Sequence, residues 1–413
     1  MAGRKTIVVG GSMAGLFAAN MLHRAGWSVS VLERSDVPLS SRGAGIVTHA
    51  GMLALLQHAG VPAGSELGVA VRRRVSFDRR GRVTADIDFP QILMGWSRLH
   101  ALLSAALPPE CYELKRWVQK VRVGSADKPA QVLCSDGRQL EADLVVAADG
   151  VRSTLRGAIL PDEPAQAAPY VAWRGMVPKA ELSRAAQRRL GEVFVMVSEP
   201  GNEMISYPVL GDDGRVHLNF VWYRRVTPAQ RQALFTDASG VYHRDGISPR
   251  AIRSHHLARA RAQATVLFHS SLAELVEASG ELLLQQIVDQ QASTMCRGRL
   301  ALVGDAAFVA RPHVGQGVTK AGGDAWALTQ CVSGQTGKLS DALRHYSRLR
   351  VPVGERAVLR ARELGAVLLP LRGRSASMRA WARHYENPTA LLADTAVELP
   401  GLAHVDPAAA DVP

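Results

Sequence analysis

Cysteine is scarce in this chain, with four in 413 residues. Cys111, Cys134, Cys296 and Cys331 stand far apart, with no CxxC pair and no Cys/His spacing of the kind a zinc site needs. They read as reduced, mostly buried thiols, and no metal is expected. Long apolar runs are missing too. Nothing approaches the roughly eighteen consecutive apolar residues of a bilayer-crossing helix. The first apolar run, Thr6 to Val9, meets a glycine turn at Gly10 and is too short for the core of a secretory signal. Aromatic residues make up 5%, and there is no internal repeat or low-complexity tract. Lysine is rare at seven residues, so arginine carries most of the formal charge of +12. The arginines are scattered. Their densest run, Arg72-Arg73-Arg74 followed by Arg79-Arg80, lacks the interleaved aromatics or reading helix of a nucleic-acid site and reads as a solvated face. The surplus instead suits anionic small molecules. These absences point to a soluble, cytoplasmic protein with no nucleic-acid partner and no membrane insertion.

What remains is ordinary for a globular chain, 47% hydrophobic and 21% charged. At about 150 residues per domain the length predicts two or three domains with a large buried core. The opening is the most informative stretch. Residues 5–9 read as a buried parallel strand, and Gly10-Gly11-Ser12-Met13-Ala14-Gly15 forms a turn. An amphipathic helix follows from Leu16 to Arg24, then a second strand, Ser28–Leu32, ending at Glu33. Strand, glycine turn, helix, strand and acid make a βαβ unit for a dinucleotide. A pyrophosphate sits on exposed N–H groups at a helix N-terminus, where the macrodipole favours negative charge. Gly10 permits the tight turn and Gly15 lets helix and strand pack closely. The middle position holds Ser12 rather than glycine, whose hydroxyl is able to donate to phosphate. Glu33 lies where a carboxylate accepts from an adenosine ribose.

Two later strands, 143–148 and 299–303, each end in aspartate, Asp149-Gly150 and Gly304-Asp305. Open α/β sheets bind ligands at such carboxyl ends. Between them, 170–177, 204–210 and 216–223 alternate as strands, with Gly211–Gly214 as a hairpin loop. The expected fold is therefore α/β: a Rossmann-like dinucleotide-binding domain with an inserted antiparallel-sheet substrate domain and a C-terminal helical region. The expected boundaries are 1–165, with a short excursion near 70–95 to the substrate domain, then 166–290, 291–345 and 346–413. The tail after Pro400 is expected to be loose.

Three segments together resemble the FAD-dependent aromatic hydroxylases, the class A flavoprotein monooxygenases with the p-hydroxybenzoate hydroxylase fold. The first is the glycine turn with Glu33. The second is D-G-x-x-S-x-x-R, present as Asp149 to Arg156. The third runs from Gly304-Asp305-Ala306 to Pro312-His313-Val314-Gly315-Gln316-Gly317. Arg42–Ile46, Tyr170–Gly175, Asn219–Arg224 and Arg311-Pro312-His313 are similar to the pyridine-hydroxylating branch. Phe308 and Thr319 depart from the general family, where histidine and asparagine are common.

The resemblance implies FAD as cofactor and NAD(P)H as a transient co-substrate, since only one complete dinucleotide unit is present. It implies hydroxylation of an electron-rich aromatic or N-heteroaromatic ring, hydroxypyridine-like, by O2 through a flavin C4a-hydroperoxide. Oxidation of a natural-product intermediate, of Baeyer–Villiger or enamine type, is the alternative on the same scaffold. An oxygen-independent FAD dehydrogenase is a further one. A homodimer is left open.

The implied cofactor residues are Gly10, Ser12, Met13, Ala14, Gly15, Glu33, Arg34, Arg42, Gly45, Arg98, Asp149, Gly150, Asp305, Gly315, Gln316, Gly317 and Val318. Asp305 would accept from ribityl hydroxyls or merely cap its turn. The helix starting near Gln316 would aim its N-terminus at the flavin pyrimidine ring. Arg98 would reach the flavin linker, or be a solvated helix arginine. Deprotonating a ring hydroxyl needs a base. His49, past Gly45, is the leading candidate because imidazole titrates near neutrality. His217, Tyr207 and Tyr223 on the inserted strands are the others, and each has an equally simple structural reading.

Overall fold

The computed structural model describes residues 4–403 except 38, 40–44, 63–65, 162, 212, 245, 334–337 and 371–372, so Arg42 lies outside the described residues. The chain opens with β1 (Lys5–Val9), α1 (Met13–Arg24), β2 (Ser28–Leu32), β3 (Gly45–Val47) and α2 (Ala50–His58). Next come β4 (Val69–Phe77), β5 (Val83–Gly95), α3 (Trp96–Ala105), β6 (Tyr112–Glu113), β7 (Val118–Arg122), β8 (Ala130–Cys134), β9 (Gln139–Ala142) and β10 (Leu144–Ala147). The middle carries β11 (Gln166–Pro178), α4 (Arg184–Leu190), β12 (Val193–Glu199), β13 (Asn202–Leu210), β14 (Val216–Arg225), α5 (Pro228–Leu234), α6 (Ser254–Leu267), α7 (Ser270–Ala278) and β15 (Leu283–Asp289). The chain closes with β16 (Cys296–Arg297), β17 (Leu300–Leu302), α8 (Gly317–Ser333), α9 (Leu339–Leu364), α10 (Ala376–His384) and α11 (Pro388–Asp394).

The expected α/β layer is a six-stranded sheet in the order β16-β17-β10-β1-β2-β6. It is parallel throughout except for the short antiparallel edge strand β16. Its strands are near-continuous apolar runs because both faces are covered, one by α1 and α8 and the other by the small sheet β7-β8-β9. Helix α1 is buried from Leu16 through Leu22, as a helix apolar almost all round must be. Its one polar insider, Asn20, donates to the carbonyls of Leu16 at 2.9 Å and Leu103 at 2.8 Å.

The second sheet has eight strands, β15-β11-β14-β13-β12-β4-β5-β3, with β11, β13 and β14 antiparallel as their alternation predicts. Period two assigns the faces. Trp173, Met204, Leu218, Phe220 and Trp222 pack with α6 and α7 in one core. Tyr170, Ala172, Ile205, Tyr207, Val221 and Tyr223 face the other way, toward the parallel sheet and the C-terminal helices. Across that second face Val221 pairs with both Arg174 and Ile205, and Tyr223 pairs with Ala172 and Glu203.

Two expectations fail here. The arginine run is not wholly solvated: Arg72 and Arg73 are exposed, but Arg74 is fully buried. A bulge between Val71 and Arg73 shifts the register, and Arg74 turns inward over the Phe89 ring at 3.6 Å. There its guanidinium donates to the carbonyls of Leu392, Thr395 and Ala396 and to the Gln91 side chain. Nor is the chain loose directly after Pro400, because Leu402 and Ala403 are buried. Arg350 holds the carbonyls of Gly401 at 2.9 Å and Leu402 at 3.1 Å, so residues 395–403 lie as a strap over α8. Ala396 within it takes a positive φ of 51°.

Candidate active site

Two adjoining cavities open at the carboxyl ends of β1, β10 and β17, with volumes of about 720 and 500 Å³. They share Ser12, Ala148, Gly150, Val151, Arg152 and Asp305, so they form one long cleft. Gly10, Glu33, Asp149 and Asp305 all line its smaller part, which brings the three sequence fingerprints together.

At the narrow end the turn is as tight as the glycines imply. Gly10 has φ +103°, and a Cβ there would lie 2.4 Å from the Ala148 carbonyl oxygen. Ser12 caps α1 through its backbone alone, and its side chain makes no cap bond where it borders both cavities. Met13 and Ala14 border the larger one. Glu33 is buried, and its carboxylate accepts from the N–H groups of Gly11 at 2.8 Å and Ser35 at 2.9 Å. It therefore ties the turn to the end of β2 while lining the cleft, and Arg34 lies beside it. Asp149 mainly closes its own turn, accepting from the Ser153 hydroxyl at 2.6 Å and the Thr154 N–H at 2.9 Å. Gly150 completes that turn with φ +81°.

Of the three carboxylates that line the cleft, Asp305 alone accepts no hydrogen bond from the described residues, and its side chain is open to the cleft. Burial pushes its pKa up; the Lys320 cation opposes that rise and Asp324 adds to it. The turn before it is pinned from α8. Asp324 accepts from the Gly304 N–H at 3.0 Å, Lys320 donates to the Gly304 carbonyl at 2.9 Å, and Arg350 donates to Asp324 at 2.7 Å. Sequence reasoning missed these three. The available signal was a Lys/Asp pair four residues apart in an otherwise apolar helix.

The N-terminus of α8 borders the larger cavity through Gly317 and Val318. A Cβ on Gly317 would meet nothing within 4 Å, so this helix end opens on free space. Gly315 is left-handed at φ +60° and packs under Ala396. Gln316 borders the cavity but hands its amide N–H to the Val397 carbonyl of the strap.

Three expected residues lie elsewhere. Arg98 donates to the Glu66 carbonyl at 3.0 Å and borders neither cavity, whereas Trp96, two residues earlier, borders the larger one. His49 caps α2 behind the wall, its Nδ1 paired with the Thr319 hydroxyl at 3.0 Å and its Nε2 with the Ala396 carbonyl at 3.2 Å. Burial lowers its pKa. His217 sits at the hairpin loop with Nε2 3.1 Å from both Asp213 oxygens. Both histidines are placed by backbone geometry that spacing along the chain does not reveal.

Tyr207 and Tyr223 do line the larger cavity, with Arg174, Phe194, Ile205 and Val221. Tyr207 stacks on Phe194 at 5.5 Å, and its ring occupies the place a Cβ on Gly45 would take. The Gly45 N–H itself donates to Asn219 at 3.2 Å. Burial pushes the Tyr207 phenol up to about 12 and raises Tyr223 as well; the Arg174 charge partly offsets both. Beside Tyr223 lies a buried network whose roles sequence reasoning did not assign, and its Arg311 and His313 also border the cavity. His313 pairs with Glu203 at 2.9 Å and with the Tyr170 hydroxyl at 3.0 Å, while Arg311 binds Asp289 at 2.7 Å.

The donor set fits a flavin dinucleotide. A glycine turn and helix N-terminus stand at one end, an unpaired carboxylate in the middle, and a second open helix N-terminus beside an aromatic-walled chamber at the other. A family model described as FAD binding domain matches residues 4–361. The chain is 31% identical to the 2,6-dihydroxypyridine 3-monooxygenase of Paenarthrobacter nicotinovorans, over 78% of this chain and 81% of that protein. It is 27% identical to the 3-amino-4-hydroxybenzoate 2-monooxygenase of Streptomyces cremeus, over 86% of each. The solved 2,6-dihydroxypyridine-3-hydroxylase from Arthrobacter nicotinovorans superposes with a TM-score of 0.82 at 27% identity, covering 88% of this chain and 92% of that one.

Proposed function

The chain belongs to the FAD-binding-domain family and is an FAD-dependent monooxygenase; from that premise we propose that its substrate is an electron-rich, hydroxypyridine-like N-heteroaromatic ring and that NAD(P)H is the electron donor. The observation that carries the reading is the chamber itself. A sheet face of Tyr207, Tyr223, Phe194, Ile205 and Val221 lines one chamber with the α8 N-terminus, and Arg174, Arg311 and His313 are among the polar groups of its wall.

FAD, when bound, draws electrons from NAD(P)H and activates O2 so that one oxygen atom enters the ring and the other leaves as water. The protein residues do the rest. The N–H groups after Gly10 and the α1 N-terminus hold the diphosphate, and Glu33 orients that turn. Asp305 receives polyol hydroxyls. The α8 N-terminus at Gly317 and Val318 favours negative charge on the pyrimidine edge. The aromatic wall excludes water and sets the ring plane. Tyr207 and Tyr223 stay protonated at neutral pH and so act as hydrogen-bond donors to the substrate, not as bases.

The test is a panel of hydroxypyridines, hydroxybenzoates and bicyclic heteroaromatics, scored by coupled nicotinamide and O2 consumption with labelled O2. Label in a hydroxylated pyridine supports the reading. Turnover of a non-aromatic intermediate alone, or anaerobic turnover with an artificial acceptor and no label in product, overturns it.

A further inference from the structure

The basic side chains along the chamber wall have very different surroundings. Arg311 is held by Asp289, with both its Nε and Nη2 2.7 Å from one carboxylate oxygen, and His313 is held by Glu203. Arg174 has no such counterpart. It lines the chamber half-buried, and its side chain makes no ion pair and no hydrogen bond among the described residues. Its Nε is fully buried without an acceptor. A buried guanidinium N–H left without an acceptor costs about 1–3 kcal/mol, a penalty that an acceptor on an occupant of the chamber would remove.

The sheet register places phenols on either side of this cation. Arg174 pairs with Val221, so Tyr223 is two residues along the same strand on the same face. Tyr207 is two residues from Ile205, which also pairs with Val221. Neither phenol has a hydrogen-bond partner among the described residues, and both feel the Arg174 charge. Burial keeps both protonated through neutral pH, so each phenol has an O–H to donate.

We propose that Arg174, flanked by Tyr207 and Tyr223, is an anion subsite that takes the aromatic substrate with a negatively charged oxygen at its ring edge. The occupant carries either an ionised ring hydroxyl or a ring carboxylate. A planar guanidinium fork matches both, and the phenols supply further donors. For a hydroxylated ring this selects the electron-rich form that accepts an electrophilic oxygen. His49 and His217 lie outside the chamber, and the histidine that does line it, His313, is held between Glu203 and the Tyr170 hydroxyl. The inference deepens the substrate reading above and rests on it.

The test uses the FAD-loaded enzyme and the change in flavin absorbance on ligand binding. One arm compares pyridine-3-carboxylate with its neutral carboxamide. The other titrates a hydroxypyridine whose hydroxyl ionises within about pH 5–9. Wild type is expected to bind at least one of the charged forms about 10–100-fold tighter than its neutral counterpart. Preference in the first arm identifies a carboxylate and in the second a ring oxyanion. Arg174→Gln is expected to abolish the preference while keeping its FAD, and Arg174→Lys to retain part of it. Equal affinity for charged and neutral forms in both arms, or an unchanged preference in Arg174→Gln, overturns the proposal. So does an Arg174→Gln protein that loses FAD instead, because the guanidinium then serves the cofactor. Charge preference without hydroxylated product would sink the hydroxylation reading and leave the subsite standing.

Discussion

Two glycine-to-alanine changes separate what holds the fold from what holds the cofactor. At Gly15 an added Cβ would sit 1.8 Å from the Gly10 carbonyl oxygen and 3.0 Å from its carbon, both rigid backbone. That is about 1.6 Å short of ordinary contact, so α1 must lift away from β1. Overpacking of this size costs about 2–4 kcal/mol and distorts the diphosphate turn as well. At Gly317 the same methyl meets nothing within 4 Å. The flavin-free Gly317→Ala protein should therefore melt at the wild-type temperature or slightly above it, since alanine is the better helix former. If the flavin rests against this helix end, the methyl occupies its space and costs about 1–3 kcal/mol of binding, roughly a 5- to 150-fold rise in Kd. Thermal melts of the flavin-free proteins and fluorescence titration with FAD give both numbers. A Gly317→Ala protein that binds FAD like wild type would refute the placement of the cofactor against α8. A Gly15→Ala protein of wild-type stability would refute the turn geometry.

Arg74→Met should leave the carbonyls of Leu392, Thr395 and Ala396 unpaired, cost about 3–5 kcal/mol and raise hydrogen exchange specifically across residues 388–403. His49→Ala breaks the links to Thr319 and Ala396 and should lower stability by about 1–3 kcal/mol, while the pH profile of hydroxylation keeps its wild-type shape. A lost pH limb would restore His49 as the base. Tyr207 is an acid whose folded value, about 12, lies above the ordinary value near 10. The unfolded chain releases this proton first, so stability is full below about pH 10 and falls by up to roughly 2–3 kcal/mol toward pH 12. Urea denaturation should show a smaller fall in Tyr207→Phe than in wild type, the remainder coming in both from Tyr170, Tyr223 and Tyr346, whose phenols are also raised by burial.

Local signals carried much of the architecture. The βαβ opening was legible because an apolar run, a glycine turn and a terminal acid are each dictated by neighbours in the chain. Strands 28–32 and 5–9 appear with the bounds expected for them, and the antiparallel β13–β14 hairpin follows its alternation. Placement of long-range partners was not legible in this way. His49 looked like a cavity residue because it follows Gly45. Yet β3 ends at Val47 and the chain turns into α2, which directs His49 toward Thr319, 270 residues away. Arg98 lost its expected role for a similar reason, since α3 turns it to the Glu66 side. Arg74 looked solvated among its neighbours, and only a bulge in β4 sends it inward.

By itself the sequence determined the fold class, the dinucleotide turn and the identity of the three segments that meet at the cleft, because each depends on steric and hydrogen-bonding preferences of residues close together in the chain. The tertiary structure alone decided which polar groups face the chamber and which are occupied by one another. The pairing of His313 with Glu203 and the solitude of the Arg174 side chain follow from sheet register, and the burial of Arg350 and His49 from a strap contributed by the last residues described; neither leaves a periodic mark on the chain.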